Sequence, residues 1–457
     1  MALHHKSEED ADLRLGPFVT DGEPHSVPKH RLADGPLDAR AAYQIVHDEL
    51  LLDGNARLNL ATFVTTWMEP EARVLMEECA DKNMIDKDEY PQTAELERRC
   101  VNILSALWNS PSGDESVGCS TTGSSEAAML AGLALKRRWR ARVGDPAARP
   151  NLVMGINVQV CWEKFCNYFE VEARQVPMDG DRFNLDPEAA VALCDENTIG
   201  VVAILGSTFD GSYERVDELA AALDGLHERE GLDIPIHVDA ASGGFTAPFL
   251  DPQLVWDFRL PRVASINASG HKYGLVFPGV GWALWRDHAA LPEELVFRVN
   301  YLGGDMPTFA LNFSRPGAQI ALQYYTFLRL GREGFRRVQQ ECRDVAMQLA
   351  ARVARMGPFE LLTDGSQLPV FAFKLRDEIS SYSVFDVSAR LRERGWIVPA
   401  YTFPKNREDL AVLRVVVRNG FSLDLAELFA ADLERLLPEL EKQQSALRDA
   451  AATGFHH

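Results

Sequence analysis

The spacing of hydrophobic residues changes at about position 118. Before it, apolar residues recur at helical intervals, as in the set Tyr43, Val46 and Leu50 and in the stripe over 96–108. After it, short apolar runs alternate with helical ones, and the strand-like runs cover 152–156, 201–206, 234–238, 264–266 and 280–285. Short buried strands that alternate with helices are typical of a parallel sheet covered on both faces. The pattern therefore predicts an α/β fold with a mostly parallel sheet.

The last third of the chain is organised differently. A long helical region over 316–356 is followed by strand-like runs at 359–362, 370–375, 397–401 and 412–417, with helical runs at 383–393 and 423–449. This order predicts a smaller C-terminal α+β domain. We therefore divide the chain into an N-terminal arm and helix (1–57), a large domain (58–340), a small C-terminal domain (341–450) and a tail (451–457).

Composition and charge narrow the classes of partner. The chain has 457 residues, 46% of them hydrophobic and 25% charged, as in ordinary globular proteins. The formal net charge of −20 disfavours nucleic acid and anionic membrane surfaces, and an anionic substrate would need a local basic group. No apolar run reaches membrane-spanning length. The seven cysteines are an odd number without paired metal spacing, so we expect reduced thiols, a cytoplasmic location and no metal site.

Two charged residues stand where such a sheet binds its ligands, beyond the carboxyl ends of the strands. Lys272 follows the strand-like run at 264–266, between two glycines, and Asp239 ends the run at 234–238. A lysine withdrawn from water is a candidate nucleophile, because desolvation favours its neutral amine. A lysine and an aspartate at strand ends are what pyridoxal phosphate chemistry requires. The lysine attaches the cofactor, and the aspartate pairs with its pyridinium nitrogen.

The stretch from Gly123 to Ser125, at a predicted helix start, has the form of a phosphate site. Backbone N–H groups, two hydroxyls and the positive end of the helix dipole converge there. A plain helix cap explains the same residues, since serine is a usual cap. Ser269 and His271, next to Lys272, provide further donors to the same phosphate. On this stretch alone both interpretations stay open.

Several motifs, in the right order, together resemble the glutamate decarboxylases of bacteria and plants. They are LLDGNAR at 51–57, GSSEA at 123–127, VCWEKF at 160–165, HVDAASGG at 237–244, WDFRLP at 256–261, SGHK at 269–272 and NFSRP at 312–316. The resemblance spans 37–436, nearly the whole chain. It implies a fold-type I PLP-dependent transferase architecture, bound pyridoxal 5′-phosphate and active sites at a homodimer interface. The implied reaction is α-decarboxylation of L-glutamate to 4-aminobutanoate (GABA) and CO₂, which consumes a proton.

The resemblance also assigns roles to residues around the cofactor. Lys272 would attach the cofactor, Asp239 would pair with the pyridinium nitrogen, and Ala241 would pack under the ring. The chemistry also needs a proton at the substrate carbon, and Lys272, once freed from the cofactor, is the simplest donor. Glu163 would cover the outer ring face, where plant-type members have glutamate and enteric members histidine. The implied contacts with the phenolic oxygen and the phosphate come from Thr208, Ser124, Ser125, Ser269 and His271, with Ser314 from the neighbouring subunit.

For the substrate, the resemblance implies that Arg414 anchors the α-carboxylate. A bidentate grip can set the bond to this carboxylate perpendicular to the ring, which selects loss of CO₂ over loss of the α-proton. The distal carboxylate would lie in a pocket formed by Thr62 and Phe63, with Asn83 and Asp86 from the neighbouring subunit.

Two regions carry separate hypotheses. A carboxylate over the ring is unfavourable beside a dicarboxylate substrate, so Glu163 is expected to be protonated or tightly hydrogen-bonded during the reaction. The tail at 454–457 is similar to the histidine-bearing tail with which enteric members cover the site at neutral pH. His457 is the matching residue, and an ordinary free terminus is the alternative. The stretch 436–449 has mixed charges and no tryptophan, which disfavours calmodulin as a partner.

Other functions stay compatible with these residues. They are decarboxylation of another acidic amino acid, an aminotransferase-like activity, and a catalytically silent binding role for a PLP fold. The pocket residues indicate a dicarboxylate without measuring its length. Residues contributed by a neighbour require at least a homodimer, and a hexamer is the second possibility, because enteric relatives assemble through N-terminal helices.

Overall fold

The computed structural model describes residues 29–32, 35–113, 115–299 and 306–453. Residues up to Asn59 and residues from Leu60 onward form two compact units. The first unit contains helix α1 (Ala39–Leu50), whose N-terminus is capped by the side chain of Asp38, and a 3₁₀ turn over Ala56–Leu58. The second unit contains the three sheets and the candidate site described below.

A seven-stranded sheet dominates the second unit. Its order is β1-β7-β6-β5-β4-β2-β3, in which β7 runs antiparallel to both of its neighbours and the other pairs are parallel. This sheet confirms the predicted α/β fold. The strands are β1 (Val117–Thr121), β2 (Asn151–Gly155), β3 (Glu172–Val176), β4 (Thr198–Ile204), β5 (Ile236–Asp239), β6 (Val263–Ala268) and β7 (Gly281–Trp285).

Helices cover both faces of this sheet, and its strands β4, β5 and β6 are therefore buried at every residue. Successive residues of β4 point to opposite faces of the sheet and pack in different hydrophobic clusters. Val201 packs in the cluster that contains Trp108, whereas Val202 packs in the one that contains Trp162. The helices are α2 (Pro70–Glu78), α3 (Pro91–Leu107), α4 (Ser124–Val143), α5 (Val160–Tyr168), α6 (Pro187–Ala192), α7 (Val216–Glu230) and α8 (Ala247–Leu250).

A short antiparallel pair, β8 (Phe297–Val299) with β9 (Met306–Thr308), precedes the long helix α9 (Ala318–Ala354). The helical region predicted over 316–356 is confirmed. Gly331 interrupts this helix with a φ of +55°, a conformation that glycine adopts without steric strain. The predicted domain boundary at 340 falls inside the second part of the helix and stays a prediction.

A four-stranded antiparallel sheet forms the smaller C-terminal part, in the order β10-β11-β13-β12. It confirms the predicted α+β organisation. Its strands are β10 (Phe359–Leu361), β11 (Val370–Leu375), β12 (Ala400–Thr402) and β13 (Ala411–Val416), with helices α10 (Val384–Glu393) and α11 (Leu423–Thr453). In the described part of the chain, no helix is long and apolar enough to cross a membrane.

Candidate active site

A cavity of about 330 Å³ opens at the carboxyl ends of the central strands. Asp239 is the last residue of β5, Thr208 follows β4, and Lys272 lies in the turn after β6. Parallel neighbours bring these ends to one edge of the sheet, as expected for a ligand site. The predicted residues that line this cavity are Ser124, Ser125, Thr208, Asp239, Ala241, Ser269, His271 and Lys272.

Three hydrogen bonds hold the buried Asp239 carboxylate. Its Oδ1 accepts from the Asn267 side chain at 3.0 Å and from the Ala241 backbone N–H at 3.1 Å. Its Oδ2 accepts from Trp162 Nε1 at 2.9 Å. All three partners are donors, so the carboxylate enters these bonds only as an acceptor. An oriented negative charge therefore faces the cavity.

Lys272 is half-buried at the cavity and forms no ion pair with any residue that the structure describes. Its Nζ lies 3.4 Å from Ser242 Oγ and 5.2 Å from the centre of the Phe63 ring. Burial lowers the pKa of the ammonium group, and the nearby Asp239 carboxylate opposes this effect. The Lys272 carbonyl accepts from Thr65 Oγ1 at 2.6 Å, which fixes the backbone. A half-buried amine of this kind suits covalent attachment to a carbonyl compound.

The N-terminus of α4 also faces the cavity. Gly123, at its N-cap, makes no side-chain cap hydrogen bond, so the helix presents its first N–H groups to a ligand. Ser124 Oγ lies 2.6 Å from Ser269 Oγ. His271 Nδ1 accepts from two backbone N–H groups at 3.2 and 3.3 Å, and burial lowers the His271 pKa to about 4. A neutral His271 therefore carries its proton on Nε2, as a further donor for an anion.

Arg414, on β13, lies next to the cavity but outside its lining. Its Nη2 donates to the Ala61 carbonyl at 2.7 Å, and its Nη1 donates to the Thr208 carbonyl. Its Cζ lies 4.9 Å from the centre of the Phe63 ring and 5.6 Å from that of Tyr401. Phe63 thus contacts both this guanidinium and the lysine ammonium, an arrangement favoured by cation–π attraction.

The segment that carries Thr62 and Phe63 is tied at both ends. Leu60 forms backbone hydrogen bonds of 2.9 Å with the C-terminal part of the chain, and Thr65 donates one of 2.7 Å to the His271 carbonyl. Between them, Thr62 Oγ1 accepts from the Val64 N–H at 3.1 Å. The two predicted pocket residues are therefore placed between β13 and the turn of Lys272.

Glu163 does not lie at the cavity. It is on the exposed side of α5, where Gln175 Nε2 donates to its Oε1 at 3.3 Å. Helical residues turn by about 100° each, so Glu163 points about 200° away from Cys161, which lines the cavity. The structure therefore corrects the predicted position of Glu163, which is exposed and outside the cavity lining. The prediction that its carboxylate is protonated or tightly hydrogen-bonded during the reaction stays a prediction. Gln159, the N-cap of α5, lines the cavity in its place.

Sequence reasoning missed several residues of the site. Gln159, Cys161 and Ser242 line the cavity, and Trp162 and Asn267 hold Asp239. Asn267 left a readable signal, because it is an amide within the otherwise apolar end of a buried strand. Gln159 and Cys161 had no such signal, because the sequence does not show which side of a short helix after a loop faces the cavity.

Three residues predicted to serve a neighbouring subunit form a cluster outside the cavity lining. Asn83 Nδ2 donates to Asp86 Oδ2 at 2.9 Å and to Ser314 Oγ at 3.4 Å. The Asn83 Oδ1 accepts from the Arg315 backbone N–H at 3.2 Å, which fixes the cluster to the chain before α9. His457, the predicted tail residue, lies outside the described residues.

Comparison with known proteins places this site in a family. Residues 30–376 match the sequence profile of the pyridoxal-dependent decarboxylase conserved domain. The chain belongs to the pyridoxal-dependent decarboxylase family. The fold-type I architecture expected from the sequence is therefore confirmed, together with the implied cofactor.

Members of this decarboxylase family with known functions are similar along the chain. The glutamate decarboxylase of Aliivibrio fischeri is 53% identical, and the alignment covers 100% of both chains. That of Solanum lycopersicum is 52% identical over 94% of this chain and 89% of its own. The solved glutamate decarboxylase of Lactobacillus brevis has a TM-score of 0.89 at 48% identity, covering 91% of this chain and 96% of that one. A sphingosine-1-phosphate lyase of Burkholderia pseudomallei, at 21% identity, 93% and 96% coverage and a TM-score of 0.78, shares the fold.

The cavity fits the cofactor of the pyridoxal-dependent decarboxylases. Asp239 offers an acceptor to a protonated ring nitrogen, Lys272 offers an amine to an aldehyde, and the start of α4 offers donors to a phosphate. Gly123 shows how closely this phosphate end is built, because a Cβ there would lie 3.0 Å from His271 Cε1. Gly206, which lines the cavity, has a φ of +102° that other residues rarely adopt.

Proposed function

We propose that this protein removes the α-carboxylate of L-glutamate as CO₂ and releases 4-aminobutanoate, with uptake of one proton. The observation that carries the proposal is the arrangement around Phe63, where Lys272 and Arg414 approach one ring beside the cavity that contains Asp239. The glutamate decarboxylases that match this chain at 52–53% identity support it.

Within this proposal, Lys272 attaches pyridoxal phosphate and Asp239 pairs with its ring nitrogen. When bound, the cofactor supplies a sink for the electrons left at Cα when CO₂ departs. Asp239 maintains this property by keeping the ring nitrogen protonated. Once the substrate's amino group has displaced it from the cofactor, Lys272 would be free to donate a proton to Cα, and burial lowers the pKa of its ammonium group. The remaining contacts are Ala241 under the ring, Thr208 near the phenolic oxygen, and Ser124, Ser125, Ser269 and His271 at the phosphate.

Arg414 determines which substrate bond is broken. A guanidinium has five N–H donors, and two carbonyls occupy one donor on each terminal nitrogen. The remaining donors grip the α-carboxylate and hold its bond to Cα across the ring plane. Thr62 and Phe63 form one wall of the pocket for the distal carboxylate. The segment that carries them is tied at both ends, so this wall is preorganised.

A homodimer completes the site in this proposal. The cluster of Asn83, Asp86 and Ser314 serves the neighbouring subunit, with the first two at the distal carboxylate and Ser314 at the phosphate. Support comes from Leu311 and Phe313, which flank this cluster with 48% and 42% of their surfaces exposed. Apolar side chains exposed beside a polar cluster are suited to burial against a second copy. A dimer and a hexamer would both supply the neighbouring subunit that this site needs.

We also propose a cytoplasmic location. All seven cysteines are free thiols, as expected in a reducing compartment.

Product analysis tests the proposed reaction. Protein supplied with pyridoxal phosphate is given L-glutamate and L-aspartate in parallel, with Lys272→Ala as the matched control. We expect equal amounts of CO₂ and 4-aminobutanoate from glutamate, and almost no β-alanine from aspartate. Comparable turnover of both would indicate a general acidic amino-acid decarboxylase, and a 2-oxo acid product would indicate an aminotransferase. Bound cofactor without any product would indicate a silent binding protein.

A further inference from the structure

A chain of buried polar side chains continues behind Asp239, into the sheet. Asn267 Nδ2 donates to Asp239 at 3.0 Å, His237 Nε2 lies 2.7 Å from Asn267 Oδ1, and Ser265 Oγ lies 2.8 Å from His237 Nδ1. His237 and Asn267 have no exposed surface, and Ser265 has 1%. Their three strand positions face the same side of β5 and β6, since successive side chains of a strand alternate.

Asp239, at the end of this series of hydrogen bonds, determines which group donates and which accepts in each of them. Asp239 accepts at both oxygens, so the Asn267 amide turns its NH₂ group toward it. Asn267 Oδ1 then faces His237 and accepts, which places a proton on His237 Nε2. His237 Nδ1 is left as an acceptor for the Ser265 hydroxyl. Burial lowers the His237 pKa and thus favours this neutral form.

His237 also touches the second side-chain donor to Asp239. The centre of its ring lies 5.0 Å from that of Trp162, at an interplanar angle of 56°. Trp162 Nε1 is the donor to Asp239 Oδ2. One imidazole therefore contacts both side chains that orient the carboxylate.

We propose that His237 is a positioning residue for the cofactor: through Asn267 and Trp162 it locks Asp239 in the orientation that binds the pyridinium nitrogen. Without the N–H of His237, the Asn267 amide is free to flip and turn its oxygen toward the carboxylate. Two acceptors then face each other, and Asp239 rotates or loses its negative charge. The inference concerns binding of the cofactor and depends on the proposed function only for its effect on turnover.

Three variants test it. His237→Phe keeps a ring against Trp162 but removes the donor to Asn267. His237→Gln keeps a donor, because its amide N–H can reach the same oxygen. Thr326→Val, which removes a buried hydroxyl from α9 far along the chain, is the control for loss of a buried hydrogen bond. The measurements are the dissociation constant of pyridoxal phosphate, the visible spectrum of the bound cofactor from pH 5 to 9 without substrate, and kcat and KM for glutamate.

We expect His237→Phe to bind the cofactor about 10- to 100-fold more weakly, because a misoriented Asp239 loses its hydrogen bond to the charged ring nitrogen. Its visible spectrum should titrate at a different pH, and kcat should fall about tenfold or more while KM stays within about twofold. His237→Gln should recover most of these properties, and Thr326→Val should match the parent. Parent-like affinity and spectrum in His237→Phe would overturn the inference. The inference would also be overturned if His237→Phe and His237→Gln lost cofactor affinity equally and in proportion to a fall in their melting temperatures.

The two proposals fail in different ways. A parent protein that binds pyridoxal phosphate but does not decarboxylate glutamate overturns the proposed function alone, because affinity and spectrum are measured without substrate. Normal turnover by the parent, with no effect of His237→Phe on the cofactor, overturns only the role of His237.

Discussion

Replacing Glu214 with glutamine is expected to change how the stability of the protein depends on pH. Glu214 is buried beside the site, and its Oε1 accepts from the side chain of Asn157, which lines the cavity, at 2.8 Å. The backbone N–H groups of Leu185 and Ile204 donate to the same carboxylate at 3.0 and 2.6 Å. Burial outweighs these three hydrogen bonds and raises the Glu214 pKa from 4.5 to about 7.

A raised pKa means that the folded protein keeps the Glu214 proton at pH values where the unfolded chain has lost it. Stability from this group is fully present below pH 4.5 and is lost as the pH rises through 7. The difference between 7 and 4.5 is 2.5 units, and each unit corresponds to about 1.36 kcal/mol. Glu214 should therefore remove about 3 kcal/mol from the free energy of unfolding between pH 4.5 and 8.

Urea unfolding, followed by tryptophan fluorescence at pH 4.5, 6, 7 and 8, gives the free energy of unfolding of the parent and of Glu214→Gln. The contribution of Glu214 is the difference between the two. Other titrating groups, including the buried histidines, are present in both and cancel. Glu214→Gln should be less stable at low pH by about 1–3 kcal/mol, because its amide turns an N–H group toward the Ile204 N–H. The gap should then shrink or reverse toward pH 8. Glu188→Gln, at an exposed position of α6, should follow the parent. A gap between parent and Glu214→Gln that stays constant with pH would refute the reasoning.

Three further predictions concern the site. Lys272→Ala should lose both turnover and the visible band that borohydride reduction abolishes in the parent, while its far-UV circular dichroism stays unchanged. Arg414→Lys should lower kcat/KM for glutamate about 10- to 100-fold, because an ammonium cannot replace a bidentate grip, whereas Arg407→Lys, which also removes an arginine stacked on a ring, should have little effect. Glu163→Gln should leave the pH–activity profile unchanged, whereas Gln159→Ala should weaken cofactor binding. A changed profile in Glu163→Gln, together with normal cofactor binding in Gln159→Ala, would support the original hypothesis for Glu163.

Burial on both faces made much of the fold predictable. The strand predicted at 370–375 coincides with β11, and β2, β4, β5, β6 and β7 of the central sheet were found within a few residues, since each is a buried and mostly apolar run. β1 was not predicted. β3 (Glu172–Val176) was missed because it is an edge strand whose first residues are charged or exposed. The antiparallel direction of β7 was also beyond prediction, because an apolar run between loops has the same pattern in either direction.

The site was predictable where chemistry coincides with a strand end. Asp239 and Lys272 each follow an apolar run, so the topology of a parallel sheet brings them together. Glu163 failed for the opposite reason. Its position depends on the phase of α5, and that phase is set by Trp162 and Phe165, which pack into the core and turn Glu163 to solvent.

In the proposed reaction, selectivity for one bond depends on how far Lys272 lies from Arg414, a distance that neither sheet determines alone. Lys272 follows strand β6 of the large sheet and Arg414 lies on β13 of the small one, and both contact the ring of Phe63, at 5.2 and 4.9 Å. That ring sits on an irregular segment whose backbone is hydrogen-bonded to the small C-terminal part at Leu60 and to the Lys272 turn at Thr65. The segment therefore acts as a spacer between the lysine proposed to attach the cofactor and the arginine proposed to orient the substrate. A change in its length or packing would leave both cations chemically intact and still misalign the bond that breaks, since catalysis is sensitive to displacements of about 1 Å.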